Sequence, residues 1–543
     1  MVKLQTLCLA ARTLRAMLFA TSCAAVLIAC GGGGGGNSES SDRGVLDEST
    51  GAVPSIVLDP PQTIGASDRI RLTWQAQGAQ SLVVFIQRAA DQPFEEMPAD
   101  IRPREAQFVR GAAWQFDFPT AKVRVRACNP AHGCVDSNEQ AMESVLLSSV
   151  AQLTYADPAA QLVQFGYATG LSADGNTMAV SSQASPAGSL MVFHRGSDRQ
   201  WQRAAQLDEG TDPVESFGGV LALSGDGRTL AVLAYVPLMQ GGGREGAVYV
   251  FTRVAQDQWV RQSVIRSTPP EDFQFGIRLS ISHDGGRLLV GGFERTTLFQ
   301  RESDRWQQAF QSNWTGPLAI SPNGGTLAFG AAGDAAINDG VAAPVWVYEP
   351  CPCGSGWHRV AELRSPVPIT DPSGFVFDGF GTLGSLAFSG DGKMLTIGAP
   401  WDPESNLYSA IHLFAAGEGG WTRRATLRAP EHGEFLGDTV AVSADGRVIA
   451  AGTRGLAANT PGLRRNHRAG DEPATATEGT AAIYFFEPDA RGQWQRTAAT
   501  VLATYPLDGL SSSISLSADG NVYAAGLLPR GSDPIEIERV VVY

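Results

Sequence analysis

Basic residues are scarce in this chain: 41 Lys and Arg face 55 Asp and Glu over 543 residues, a formal charge of −14. Phosphate backbones require a basic face, so nucleic acid is excluded as a partner. Charge of either sign is sparse, at 18% of residues, which favours short strands and tight turns over long solvated helices. Long apolar runs are missing inside the chain. None approaches the roughly 20 residues of a spanning helix, so a polytopic membrane protein is excluded. Catalytic signatures are missing too. His-Glu-x-x-His, Gly-x-Ser-x-Gly with partners and Walker-type loops do not occur, and the His residues share no repeat position. The chain is therefore expected not to be an enzyme and to carry no cofactor or metal.

What is present begins with an address label. Lys3, Arg12 and Arg15 form a basic stretch, and an apolar run from Ala16 to Ala29 follows. This reads as a secretory signal over 1–29. The tetrad Leu27-Ile28-Ala29-Cys30 resembles a bacterial lipobox, which implies lipidation of Cys30 and a membrane anchor through acyl chains. Loss of 1–29 takes three positive charges and brings the formal charge from −14 to −17. Residues 30–52 hold six consecutive glycines, Gly31 to Gly36, and a mostly polar stretch that cannot bury enough apolar surface to order itself. It reads as a tether. Gly31 stands where an inner-membrane lipoprotein would resemble the Asp retention signal, so sorting analogy implies the outer membrane, facing periplasm or cell surface.

Of seven cysteines, Cys8 and Cys23 leave with the signal and Cys30 is spent on lipid. Cys128 and Cys134 flank the turn-forming Asn129-Pro130-Ala131-His132-Gly133 and are candidates for a hairpin-tip disulfide. Cys351 and Cys353 are candidates for a loop staple, with no third metal ligand nearby in sequence.

Residues 53–147 show short alternating runs, Arg69 to Trp74, Ser81 to Ile86 and Lys122 to Asn129. Period-two alternation at this spacing predicts an antiparallel sandwich. Leu72-Thr73-Trp74 and Val125 to Asn129 resemble fibronectin type III strands, although Ala121 stands where that family usually has a corner tyrosine.

From 148 to 543 the chain repeats itself. Ser-x-Asp/Asn-Gly occurs seven times: Ser172 to Gly175, Ser224 to Gly227, Ser282 to Gly285, Ser321 to Gly324, Ser389 to Gly392, Ser443 to Gly446 and Ser517 to Gly520. Apolar runs on both sides make each copy a hairpin of two strands, a and b. A third strand, c, carries an aromatic, as in Val248-Tyr249-Val250-Phe251, and a fourth, d, opens on Trp201, Trp259, Trp306, Trp357, Trp421 or Trp494. Seven c strands meet six d strands. The segment Val150 to Tyr155 resembles the d strands and is expected to complete the last sheet. The predicted fold is all-β: a seven-bladed β-propeller closed by an N-terminal outer strand and preceded by a small Ig/fibronectin-like sandwich.

Phe165-Gly166, Phe217-Gly218, Phe275-Gly276, Phe380-Gly381 and Gly398-Ala399-Pro400 resemble the FG-GAP repeat of integrin alpha-type propellers, in its bacterial variant. Many such blades bind calcium through Asp-x-Asp-x-Asp-Gly. Here each turn has one Asp or Asn, so calcium is not implied. The expected function is an envelope-anchored, monomeric, non-catalytic binding or adhesion scaffold, taking a protein or glycan on its b–c loops. The alternatives are a propeller enzyme acting on polysaccharide and an outer-membrane assembly factor. Candidate contacts are Trp401, beside two prolines, and the cluster Arg464, Arg465, His467 and Arg468 in the longest loop, Thr453 to Gly479.

Overall fold

A computed structural model of the chain describes residues 52–63, 69–88, 90, 92–97, 100–102, 104–109, 120–142, 151–154, 165–182, 188–197, 200–237, 243–267, 274–330, 344–352, 354, 356–366, 379–381, 385–400, 409–428, 436–453, 481–503, 507–529 and 539–542. Residues 1–51, which hold the expected signal, Cys30 and all but the last residue of the expected tether, lie outside the described residues. Every element among the described residues is a strand, and no helix among them is long and apolar enough to cross a membrane.

The first ten strands form two five-stranded sheets. Lys122–Asn129 shows how the alternation works. Val123, Val125 and Ala127 are buried on one face, while Lys122, Arg124 and Arg126 turn outward. Ser81–Gln87 lies beside it, with Val84 opposite Val125. Ile70, Leu72 and Trp74 of Arg69–Gln77 come from the other sheet and complete one core. Cys128 and Cys134 face each other across a hairpin and are joined by a disulfide. Cys351 is also disulfide-bonded; Cys353 lies outside the described residues.

The remaining strands form seven four-stranded antiparallel sheets. The first has Phe165–Leu171, Thr177–Ser182, Ser189–Arg195 and Trp201–Leu207 as its strands a to d, paired in chain order. Five more follow the same order. The last takes Leu507–Leu516, Tyr523–Pro529 and Arg539–Val542 from the C-terminal end and Ala151–Thr154 from the other end of the repeat region. Ala151 pairs with Val542 and Thr154 with Arg539.

In six of the seven sheets an aromatic of the c strand marks a bulge. Register shifts between strands c and d fall directly before Phe193, Phe251, Phe299, Tyr348, Phe414 and Phe486. A bulge adds local twist and re-aims a side chain. The Trp that opens each d strand packs beside a buried cluster: Trp201, Trp259, Trp306, Trp357, Trp421 and Trp494 all do so.

Candidate functional site

Two ends of the sheets are built differently. At one end sit the Ser-x-Asp/Asn-Gly turns. In each, the hydroxyl of Ser donates to the turn carboxylate or amide, as Ser282 does to Asp284 at 2.6 Å, and accepts from the backbone N–H that opens strand b, as Thr326 N–H gives to Ser321 at 2.9 Å. The glycine holds a left-handed φ, +64° at Gly285 and +71° at Gly520, which a Cβ would disfavour. Burial works against the ionised forms of Asp174, Asp284, Asp391 and Asp519, but hydrogen bonds from their own turns outweigh it and hold these carboxyls below their ordinary range.

Each turn also binds the next sheet's turn. Backbone N–H groups of Ala173, Asp226, His283, Gly390, Ala444 and Ala518 donate to the carbonyls of Gly225, His283, Pro322, Ala444, Ala518 and Ala173, at 2.7–2.8 Å. The fourth turn has Pro322, which lacks an N–H. There the side chain of Asn323 donates to the Asp391 carbonyl at 2.9 Å. Asn323 is the only Asn among seven turn residues that are otherwise Asp, and only an amide can supply that donor. The result is a cyclic belt of seven inter-turn bonds. It engages turn backbone groups at this end; the b–c and d–a connections lie at the other end.

At that other end the described residues carry aromatic and charged groups. Trp314 and Trp346 stack with ring centroids 3.5 Å apart, and Trp314 Nε1 donates to the Tyr348 hydroxyl at 3.2 Å. Arg244 lies 4.5 Å from the Tyr235 ring centroid and 3.9 Å from Glu215. Phe293, on the b–c turn of the third sheet, is 66% exposed. Beside it Arg295 pairs with Glu294 at 3.1 Å. A cavity of about 330 Å³ opens between the second and third sheets, lined by Phe275, Phe299, Trp306, Gln308, Gln311 and Arg295 among others. Aromatic rings with a few amides and guanidiniums suit a ligand with apolar faces and many hydroxyls. The sequence reading missed this cavity because its lining is split among the d strand of one sheet and the c and d strands of the next.

Trp401, Arg464, Arg465, His467 and Arg468 lie outside the described residues. Among the described residues no cluster of His, Cys, Asp and Glu could hold a metal ion. One histidine is unusual: His412 is fully buried, its Nδ1 is 3.1 Å from the Thr426 hydroxyl, and its Nε2 has no hydrogen-bond partner. Burial, helped by Arg428 and Arg423, pushes its pKa down to about 3. It is a neutral core residue at physiological pH.

No family model matches the sequence, and no curated protein matches it. Solved structures do. The chain is similar to the oligogalacturonate lyase of Vibrio parahaemolyticus, with 10% identity over 72% of this chain and 96% of that one, at a TM-score of 0.41. It is similar to a Bacteroides uniformis protein provisionally described as a 6-phosphogluconolactonase, with 12% identity over 79% and 98%, at 0.38. It is similar to Sqt1 of Saccharomyces cerevisiae, with 13% identity over 77% and 89%, at 0.39. These are β-propeller-like proteins at low identity, with no FG-GAP or fibronectin type III match beside them. The expectation that the chain is not an enzyme is corrected here: two of these three similar proteins carry enzyme descriptions, so the exclusion drawn from missing motifs does not stand. Propeller active sites assemble from scattered loops, which a search for contiguous motifs does not see. The likeness itself assigns no activity to this chain.

Proposed function

We propose that the seven sheets are the blades of one FG-GAP-type propeller, carried behind a fibronectin-like sandwich and tethered by lipid on Cys30 to the bacterial outer membrane. On this reading the monomeric protein binds and processes a polysaccharide at the face of its b–c and d–a connections. The observation that carries the reading is the cavity between the second and third sheets, with Trp306, Phe299 and Phe275 beside Gln308 and Gln311. Exposed Phe293 stands on the same b–c turn as Arg295, which lines that cavity. A pyranose offers an apolar face to aromatic rings and hydroxyls to amides, and Arg295 favours a sugar that bears a carboxylate.

The test uses the full chain, purified in mild detergent, on a panel of immobilised polysaccharides with detection of released oligosaccharide. Acidic polysaccharide is expected to be retained and shortened. Phe293→Ala and Gln308→Ala are expected to lose retention by about tenfold. Retention of nothing, or retention untouched by both variants, overturns the carbohydrate reading; retention without product overturns the processing half.

A further inference from the structure

A second cavity lies on the belt side, at the seam between the first and second sheets, and is independent of the polysaccharide face. Its volume is about 440 Å³. Three arginines from three different segments line it. Arg195 ends the c strand of the first sheet, Arg228 follows the turn of the second, and Arg253 lies near the end of the second sheet's c strand. His194, Thr177 and Asn176 line it as well. The backbone fixes this arrangement: Arg195 N–H donates to the Asn176 carbonyl at 2.9 Å, and Arg253 N–H to the Arg228 carbonyl at 2.8 Å.

The charge at this seam is lopsided. The one acid in the lining, Asp174, accepts from the Ser172 hydroxyl and from Asn176 N–H of its own turn and also feels the charge of Arg253. A second acid, Asp257, stands 3.3 Å from His194 Nε2 on the adjoining c–d turn. Arg253 Nη1 is 3.3 Å from His194 Nε2 and 3.4 Å from the Thr177 hydroxyl, and His194 Nδ1 is 3.2 Å from that same hydroxyl. Thus Thr177 and His194 hold one nitrogen of Arg253 in place. Arg195 lies over the Trp201 ring, 6.0 Å from its centroid. The Arg228 side chain is exposed and its guanidinium has no partner among the described residues. Three guanidiniums around one depression thus outnumber the two carboxylates beside them, Asp174 and Asp257, and leave a local positive surplus in a chain whose formal charge is −14.

We infer that this seam binds a phosphomonoester, gripped by Arg195, Arg228 and Arg253 with Thr177 and Asn176 completing the polar wall. A carboxylate is satisfied by one guanidinium fork, whereas a tetrahedral dianion presents oxygens to three donors from three sides. The volume exceeds what a bare phosphate fills and accommodates a sugar-sized body behind it. The same group occurs on soluble sugar phosphates and on phosphorylated lipid headgroups, and the site reads the shared chemistry.

The experiment is isothermal titration of the full chain in mild detergent at neutral pH. Glucose 1-phosphate is the soluble probe, glucose the uncharged control, and vesicles of phosphatidylcholine doped with phosphatidic acid are the lipid probe. Glucose 1-phosphate or the doped vesicles are expected to bind where glucose and undoped vesicles do not. Arg228→Ala, at an exposed side chain whose guanidinium has no partner among the described residues, is expected to weaken that binding at least about tenfold while leaving the melting temperature unchanged. Arg195→Gln combined with Arg228→Ala is expected to abolish it. Preference for the sugar phosphate or for the vesicles identifies the source. The inference is overturned if neither phosphate probe binds at millimolar concentration, or if Arg228→Ala binds as the parent does.

Discussion

Arg88 of the sandwich lies 3.5 Å from Glu487, in the c strand of the sixth four-stranded sheet, and the same guanidinium reaches Glu95 at 3.5 Å. Beside this pair Gln92 donates to the carbonyls of Arg496 and Thr497, both at 3.1 Å, and the Thr497 hydroxyl donates to Glu487 at 3.0 Å. The sandwich is thereby clamped to one particular sheet. Burial raises the Glu487 pKa, while Arg88 and Thr497 work in the other direction. Arg88→Ala removes the cation in contact with that carboxylate, leaving only the more distant Arg447, and is expected to cost on the order of 2 kcal/mol at neutral pH. A carboxyl raised above its unfolded value loses stability as pH rises through its folded pKa, so the deficit shrinks as pH falls toward the ordinary Glu range. Glu487→Gln is expected to be near neutral and to cancel most of the Arg88→Ala loss. Urea midpoints of the two single variants and the double variant check this; an additive double variant refutes the coupling.

His412 sets an acid limit. Its folded pKa of about 3 lies below its ordinary 6.5, so its contribution is intact above 6.5 and is lost as pH falls from there toward 3. The slope from this group alone is at most about 1.4 kcal/mol per pH unit. The depressed turn carboxyls add a second loss below the ordinary Asp range. Melting temperature against pH is expected to fall below 6.5 in the parent and to stay flat down to about pH 4.5 in His412→Leu. Parallel curves refute the assignment.

The belt makes a prediction at its odd link. Asn323→Asp removes the amide that donates to the Asp391 carbonyl and is expected to cost about 1 kcal/mol. Pro322→Ala supplies a backbone N–H at the position where five of the other six turns use theirs, so it is expected to recover much of that loss. Denaturant midpoints of the single and double variants measure both effects, and the absence of rescue counts against the belt.

Gly398 is the penultimate residue of strand b of the fifth sheet, Met394–Ala399, beside the start of the sixth. A Cβ there would stand 1.9 Å from the Gly437 carbonyl oxygen, a backbone atom that cannot swing away. Gly398→Ala is expected to destabilise by about 2–3 kcal/mol. Gly419→Ala, with open space around its Cβ, is the control. Equal midpoints for the two would show that the seam is loose.

The turn repeat is legible because Asp-Gly between two apolar runs has one economical backbone solution, and the aromatic and Trp periodicities follow from the bulge and the wedge positions they fill. A Gly seven residues after the turn in five of the seven copies, Gly398 among them, is legible as a pattern; its cause is visible only in the approach of Gly398 to Gly437. Asn323 reads in sequence as one more turn former, because its partner, the Asp391 carbonyl, is 68 positions away. The arginines of the first seam are also invisible as a set, being spread from 195 to 253. The cavity between the second and third sheets is hidden in the same way, since its lining runs from Ser263 to Gln311.

Thr154 pairs with Arg539, a separation of 385 residues. On the ribosome, six sheets can form in order of emergence, each from neighbouring sequence. The last cannot: its outer ribbon is made early and stays single until the final residues arrive. Assembly thus ends with a long-range closure that local contacts do not accelerate, and until that moment the nascent protein exposes two unsatisfied sheet edges to its surroundings.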